Sequence, residues 1–159
     1  MTDGIQFSEL LEYLRGENQR WIRFFARHPQ ALDLPLDIAG SVRKLILHIF
    51  AVELFFANAV SGNPQVDVEK FPNSSLDDLF GISQRATDVY REFFANAKPE
   101  DWAEVIRVGA REWKASRRKM VAQALTHSIR HWAQISTYLR QQGLNQECNH
   151  DLLMSEAMK

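Results

Sequence analysis

The sequence has a single cysteine, Cys148, among 159 residues. One thiol forms no intrachain disulfide, which suits a reducing compartment, and the cytoplasm is the expected location. A basic surplus is missing too: 19 Lys and Arg stand against 20 Asp and Glu, for a net charge of -1. Proteins that bind phosphate backbones carry a marked positive excess, so no nucleic-acid partner is expected. The densest basic cluster, Arg117-Arg118-Lys119, reads as a solvated helix start. The longest apolar stretch, Leu45 to Val60, is interrupted by His48, Glu53 and Asn58 and falls short of a membrane span, so no membrane association is expected. Met1-Thr2-Asp3-Gly4 carries neither the basic start nor the apolar core of a signal peptide. Internal repeats and low-complexity segments are absent as well.

What is there suits one globular domain over residues 1–159. Hydrophobic residues make up 45% and charged residues 25%, and ten Phe supply core volume. Four long segments show helical periodicity. In the first, Phe7 to Arg27, Phe7, Leu10, Leu11 and Leu14 follow the i, i+3, i+4, i+7 pattern, and His28-Pro29 stops it. The second, Ser41 to Val60, has Ser41 as N-cap, buries Val42, Leu45, Ile46, Ile49, Phe56 and Val60, and ends at Ser61-Gly62-Asn63-Pro64. A polar connection, Gly62 to Asn73, leads to the third, Leu76 to Ala97, where Ser75 or Ser74 caps and Asp77 and Asp78 suit the helix dipole. The fourth, Arg117 to Gln142, starts at Ser116 and ends before Gly143. It is apolar on more than one face.

Between the third and fourth helices, Lys98-Pro99-Glu100-Asp101 breaks the pattern. Val105-Ile106-Arg107-Val108, Gly109 and Glu112-Trp113-Lys114 then predict a short extended excursion or hairpin. Residues 144–159 form a polar tail, with a short final helix expected over Asp151 to Met158. The fold class is all-α: a four-helix bundle with an extended excursion before the last long helix. Connections of a dozen residues imply that not every neighbour is a simple antiparallel hairpin.

Chemistry concentrates in Leu125-Thr126-His127-Ser128-Ile129-Arg130-His131-Trp132-Ala133-Gln134. His127 and His131 are one helical turn apart and about 40° apart in azimuth, so both rings can converge on one cation. The zincins share this spacing, but they need a Glu beside the first His, and Ser128 stands there. A protease is therefore excluded. Two ligands make a poor site, and His48 is the third candidate. It sits in the apolar run Leu45-Ile46-Leu47-His48-Ile49-Phe50, where a core ring needs its nitrogens engaged. The plain alternatives are a hydrogen-bonded core histidine at 48 and a solvated pair at 127 and 131. His28 and His150 read as solvated.

Three stretches resemble the DinB/YfiT-like superfamily of metal-dependent four-helix-bundle proteins. They are Ser41-Val42-Arg43-Lys44-Leu45-Ile46-Leu47-His48-Ile49 with Glu53, Ser75-Leu76-Asp77-Asp78-Leu79, and His127-Ser128-Ile129-Arg130-His131-Trp132-Ala133-Gln134-Ile135 with Leu139-Arg140-Gln141-Gln142-Gly143. The resemblance implies a divalent metal held by His48, His127 and His131, a metal-dependent enzyme of the thiol-dependent transferase or isomerase kind, and a homodimer. A hydrolase is also open. Many relatives carry a further His and an Arg-Gly pair where this chain has Trp132-Ala133, which puts in doubt any activity that depends on them. Imidazole donors suit zinc or nickel, with iron admissible. The expected partner is a small-molecule thiol or another small substrate. The alternative function is a non-catalytic, metal-stapled or stress-related binding protein. No catalytic residue is assigned. Glu53 lies about 140° round the helix from His48 and reads as second shell or as a pair to a neighbouring base; Gln134 is the candidate for the site edge, and Asn18 a buried polar anchor.

Overall fold

The structure is a computed structural model that describes residues 5–37, 39–146 and 150–158. The expectations resting on residues 1–4 and on Cys148 lie outside the described residues. Five helices and one hairpin follow in the order α1 (Phe7–Arg27), α2 (Val42–Ser61), α3 (Leu76–Asn96), α4 (Pro99–Ala103), β1 (Val105–Val108), β2 (Trp113–Ser116) and α5 (Arg117–Gln141).

Serines start three of the long helices. Ser41, Ser75 and Ser116 each accept the backbone N–H three residues on, at 3.2, 3.0 and 3.2 Å. Each such cap stabilises its helix by about 1 kcal/mol. Gly62 ends α2 at φ +71°, a left-handed geometry that glycine adopts without strain. The predicted break at Lys98-Pro99 is in fact the start of α4. Proline at the first helical position loses no hydrogen bond, and the Asp101 carboxylate accepts the Lys98 N–H at 2.7 Å. The hairpin forms as expected, antiparallel, with Val105 opposite Ser116 and Val108 opposite Trp113. The expected final helix is only a 3₁₀ turn over Leu152–Met154.

α2 packs against α3 and α5, and α1 packs against the same two helices. α1 and α2 therefore face each other across the bundle diagonal. The core is apolar and aromatic: Trp21, Phe25, Phe50, Ile46, Ile49 and Ile135 are at most 1% exposed. Full burial of each side chain of this kind contributes about 2 kcal/mol or more.

One polar tie runs through that core and takes one residue from each long helix. Asn18 Nδ2 on α1 donates to Ser83 Oγ on α3 at 2.9 Å. Ser83 Oγ donates to Glu53 on α2, and Ser128 Oγ on α5 donates to its other carboxyl oxygen, both at 2.7 Å. Asn18 is thus the buried anchor expected. Glu53 pairs with no base among the described residues, and its partners are two hydroxyls. Burial raises its carboxyl to about 6, against the opposing pull of the two serine bonds.

Candidate metal centre

α2 and α5 lie side by side, and their outward edges form a groove. α2 contributes Lys44, His48, Ala51, Val52 and Phe55, a helical stripe by spacing. α5 answers with Tyr138, Gln134, His131, His127, Gln123 and Lys119. The histidines are the midpoints of the two stripes, and the side-by-side packing brings them together although His48 and His127 are 79 residues apart in sequence.

Their ring nitrogens converge. His48 Nε2 is 3.1 Å from His127 Nε2, and His131 Nε2 is 3.0 Å from the same atom. One ligand nitrogen from each residue lies within 4.8 Å of the others. Nitrogens bound to one first-row divalent ion at about 2.1 Å stand about 3.0–3.4 Å apart, depending on geometry. The donor set and its spacing fit such an ion. The three rings meet edge to face, with centroids 4.3 to 5.3 Å apart, so their in-plane lone pairs point inward rather than stacking.

Protonation favours the same use. Gln134 Oε1 accepts from His131 Nδ1 at 2.6 Å, which places the ring proton on Nδ1 and frees the Nε2 lone pair. Burial of the ring, then the neighbouring His131 and His48 and the Arg130 charge, pushes His127 down to about 4. His48 is also lowered, first by loss of water against α5 and then by His131. Both rings are neutral at pH 7, the form that binds a cation. His127 Nδ1 is buried and has no hydrogen-bond partner. That ring is held by packing alone on its far side.

Two sequence expectations change here. His48 is exposed, not in the core. The apolar neighbours that suggested burial belong partly to the groove. His150 is not a solvated tail residue: its Nδ1 pairs with the buried Glu17, and its ring stacks on Trp21 at 4.8 Å. His28 is half-buried, with its ring 4.8 Å from that of Phe24. Gln134 meets the site edge as expected.

The triad divides the groove. On one side lies a space of about 700 Å³ lined by Phe55, Phe56, Val66, Val68, Trp113 and Met120 among others. On the other lies about 600 Å³ lined by Asp37, Lys44, Gln134 and Tyr138 as well as apolar groups. His48 borders both. These walls escaped the sequence reading because Val66 and Val68 come from a connection and Trp113 from the short hairpin.

The sequence profile of the DinB family matches residues 1–157. The chain belongs to the DinB family. Among solved structures, this DinB-family protein is similar to a DinB-like protein, YjoA, from Bacillus subtilis, with a TM-score of 0.65 and 17% identity, over 91% of this chain and 96% of that one. At that identity the likeness speaks for the fold. No protein of curated function matches the sequence.

Proposed function

We propose that this DinB-family chain is a metal-dependent enzyme whose divalent ion is held by Nε2 of His48, His127 and His131. The observation that carries the proposal is the convergence of three imidazoles in the middle of an open groove, with His127 Nε2 3.1 Å from His48 Nε2 and 3.0 Å from His131 Nε2. A structural metal is enclosed by four protein ligands, whereas three ligands beside open space leave a position for a reactant. Zinc or nickel suits three imidazoles, with iron as the remaining choice.

A bound divalent ion would supply Lewis acidity, lowering the pKa of a water or thiol that reaches it. The chain's own residues do the rest. Gln134 fixes the His131 tautomer, and the α2–α5 packing sets the ring positions. Lys44, Gln134 and Tyr138 give the polar half of the groove the hydrogen-bonding surface that a hydrophilic low-molecular-weight thiol needs. Thiol-dependent transfer or isomerisation is therefore the reaction class proposed, in a reducing cytoplasm. Elemental analysis of the purified protein beside His127→Ala tests the site: one equivalent of metal in the first and little in the second is expected. Metal content unchanged in the variant sinks the three-histidine site. If metal is present but no member of a thiol panel supports transfer to electrophiles, the transferase assignment fails while the metal site stands.

A further inference from the structure

The two halves of the groove differ in chemistry, and the difference assigns a second substrate. The half beside His48 and His127 is walled by apolar side chains from four parts of the chain: Val52, Phe55 and Phe56 of α2, Val66 and Val68 of the following connection, Trp113 of β2 and Met120 of α5. The walls are held in place. Gln65 Nε2 donates to the Phe55 carbonyl at 3.2 Å and ties the connection to α2. The hairpin turn lies on the Phe55 ring so closely that a Cβ at Gly109 would stand 3.3 Å from it. Trp113 and Val66 nonetheless keep 51% and 43% of their surface exposed. Large apolar groups left open around a formed concavity of about 700 Å³ mark a ligand pocket rather than unfilled core.

Among the described residues, Lys119, Gln123 and the Trp113 indole N–H are the polar side-chain groups that line this half beyond the histidines, and no acidic residue lines it. The Lys119 ammonium has no acidic partner among the described residues. It stands eight residues from His127 on the same helix, a rise of about 12 Å. Apolar walls therefore run from the three imidazoles at one end to an unpaired cation at the other.

We propose that this half binds an elongated apolar small molecule, about 10–12 Å long, with an anionic group at Lys119 and its reactive end at the histidines. The proposal rests on the metal-site reading for the word reactive, and on the groove alone for binding. It makes the protein a two-substrate catalyst, with a hydrophilic partner on one side of the triad and an apolar acid on the other.

The test uses the protein as purified and 8-anilinonaphthalene-1-sulfonate, an apolar fluorophore with one anionic group. Saturable binding of one equivalent is expected, with displacement by octanoate at least fivefold tighter than by octanol. Ala51→Trp, which fills the groove floor, is expected to weaken probe binding tenfold or more. Val66→Asp does the same from the exposed connection should the first variant not fold. Lys119→Ala is expected to leave octanol displacement alone and erase the octanoate preference. No saturable binding, binding indifferent to both groove variants, or a dimer that excludes the probe overturns the proposal. His127→Ala separates the two readings: it is expected to lose metal yet keep the probe, so absence of metal in the wild type defeats the metal site without touching the groove.

Discussion

Two polar side chains in the middle of α2, His48 and Glu53, face different ways and meet different fates. Glu53 faces the core, and every atom it offers is taken by a serine from a neighbouring helix. His48 faces the groove, and its Nε2 stands 3.1 Å from His127 Nε2, which in turn lies 3.0 Å from His131 Nε2. A buried polar group with its partners in place holds helices in register. Three imidazoles, each with a ring nitrogen within 4.8 Å of the others, form a group that could hold a cation. Five residues of helix separate tie from site, and the 140° between them lets one element serve both.

The comparison can be broken from the histidine side first. His127→Ala removes the ligand nearest both others, and metal is expected to fall from one equivalent to background by elemental analysis, with the thermal unfolding of the metal-free form nearly unchanged. Glu53→Ala is the counterpart. It leaves Ser83 and Ser128 without their acceptor in the core, and a loss of about 3 kcal/mol in denaturant unfolding is expected, with metal stoichiometry intact. A variant that loses both together would show that tie and site are one unit.

A smaller effect concerns pH. Burial lifts the Glu53 carboxyl from 4.5 to about 6, so the folded chain holds that proton more tightly than the unfolded one. The stability tied to the protonated form is full below pH 4.5 and is lost as pH rises through 6. At 1.36 kcal/mol per unit the loss is about 2 kcal/mol. Glu53→Gln does not titrate and keeps the Ser83 bond at its oxygen, while Ser128 can donate to the Ala124 carbonyl instead and accept from the new amide, so the difference in unfolding free energy between it and the wild type should grow by that amount across the window. A flat difference would remove the carboxyl from the account. Smallest of all, Gln134→Leu frees the His131 ring to change tautomer, and metal affinity is expected to fall about tenfold in a chelator competition, some 1.4 kcal/mol.

Much of this was legible in the sequence because it is local. The four long helices follow from apolar spacing and serine caps, and the hairpin from Val105 to Ser116 follows from the change of period. The i, i+4 pair His127 and His131 needs only a continuous helix. What depends on distant chain was harder to see. His150 looked solvated because its partner Glu17 lies 133 residues away. Glu53 looked like a partner for a base because the two serines sit on other helices. His48 looked buried because its run from Leu45 to Phe50 is apolar, and Leu45, Ile46, Ile49 and Phe50 are indeed core, but His48 itself lies on the face of the helix that borders the groove. Pro99 looked like a helix breaker because its tolerance at a first position depends on where the helix begins.

The placement of the histidines has a consequence for assembly in time. His48 and His127 are 79 residues apart, and everything between them, α3, α4 and the hairpin, must be made before the two can meet. During synthesis the N-terminal part of the chain can collapse with one of the three clustered imidazoles, His48, in place, and one ring alone binds metal poorly. The cation site closes only when α5 docks on α2, a pairing of high sequence separation and so a late one. On the proposed metal-site reading, capture of an ion would draw the last helix into place and leave incomplete chains without metal.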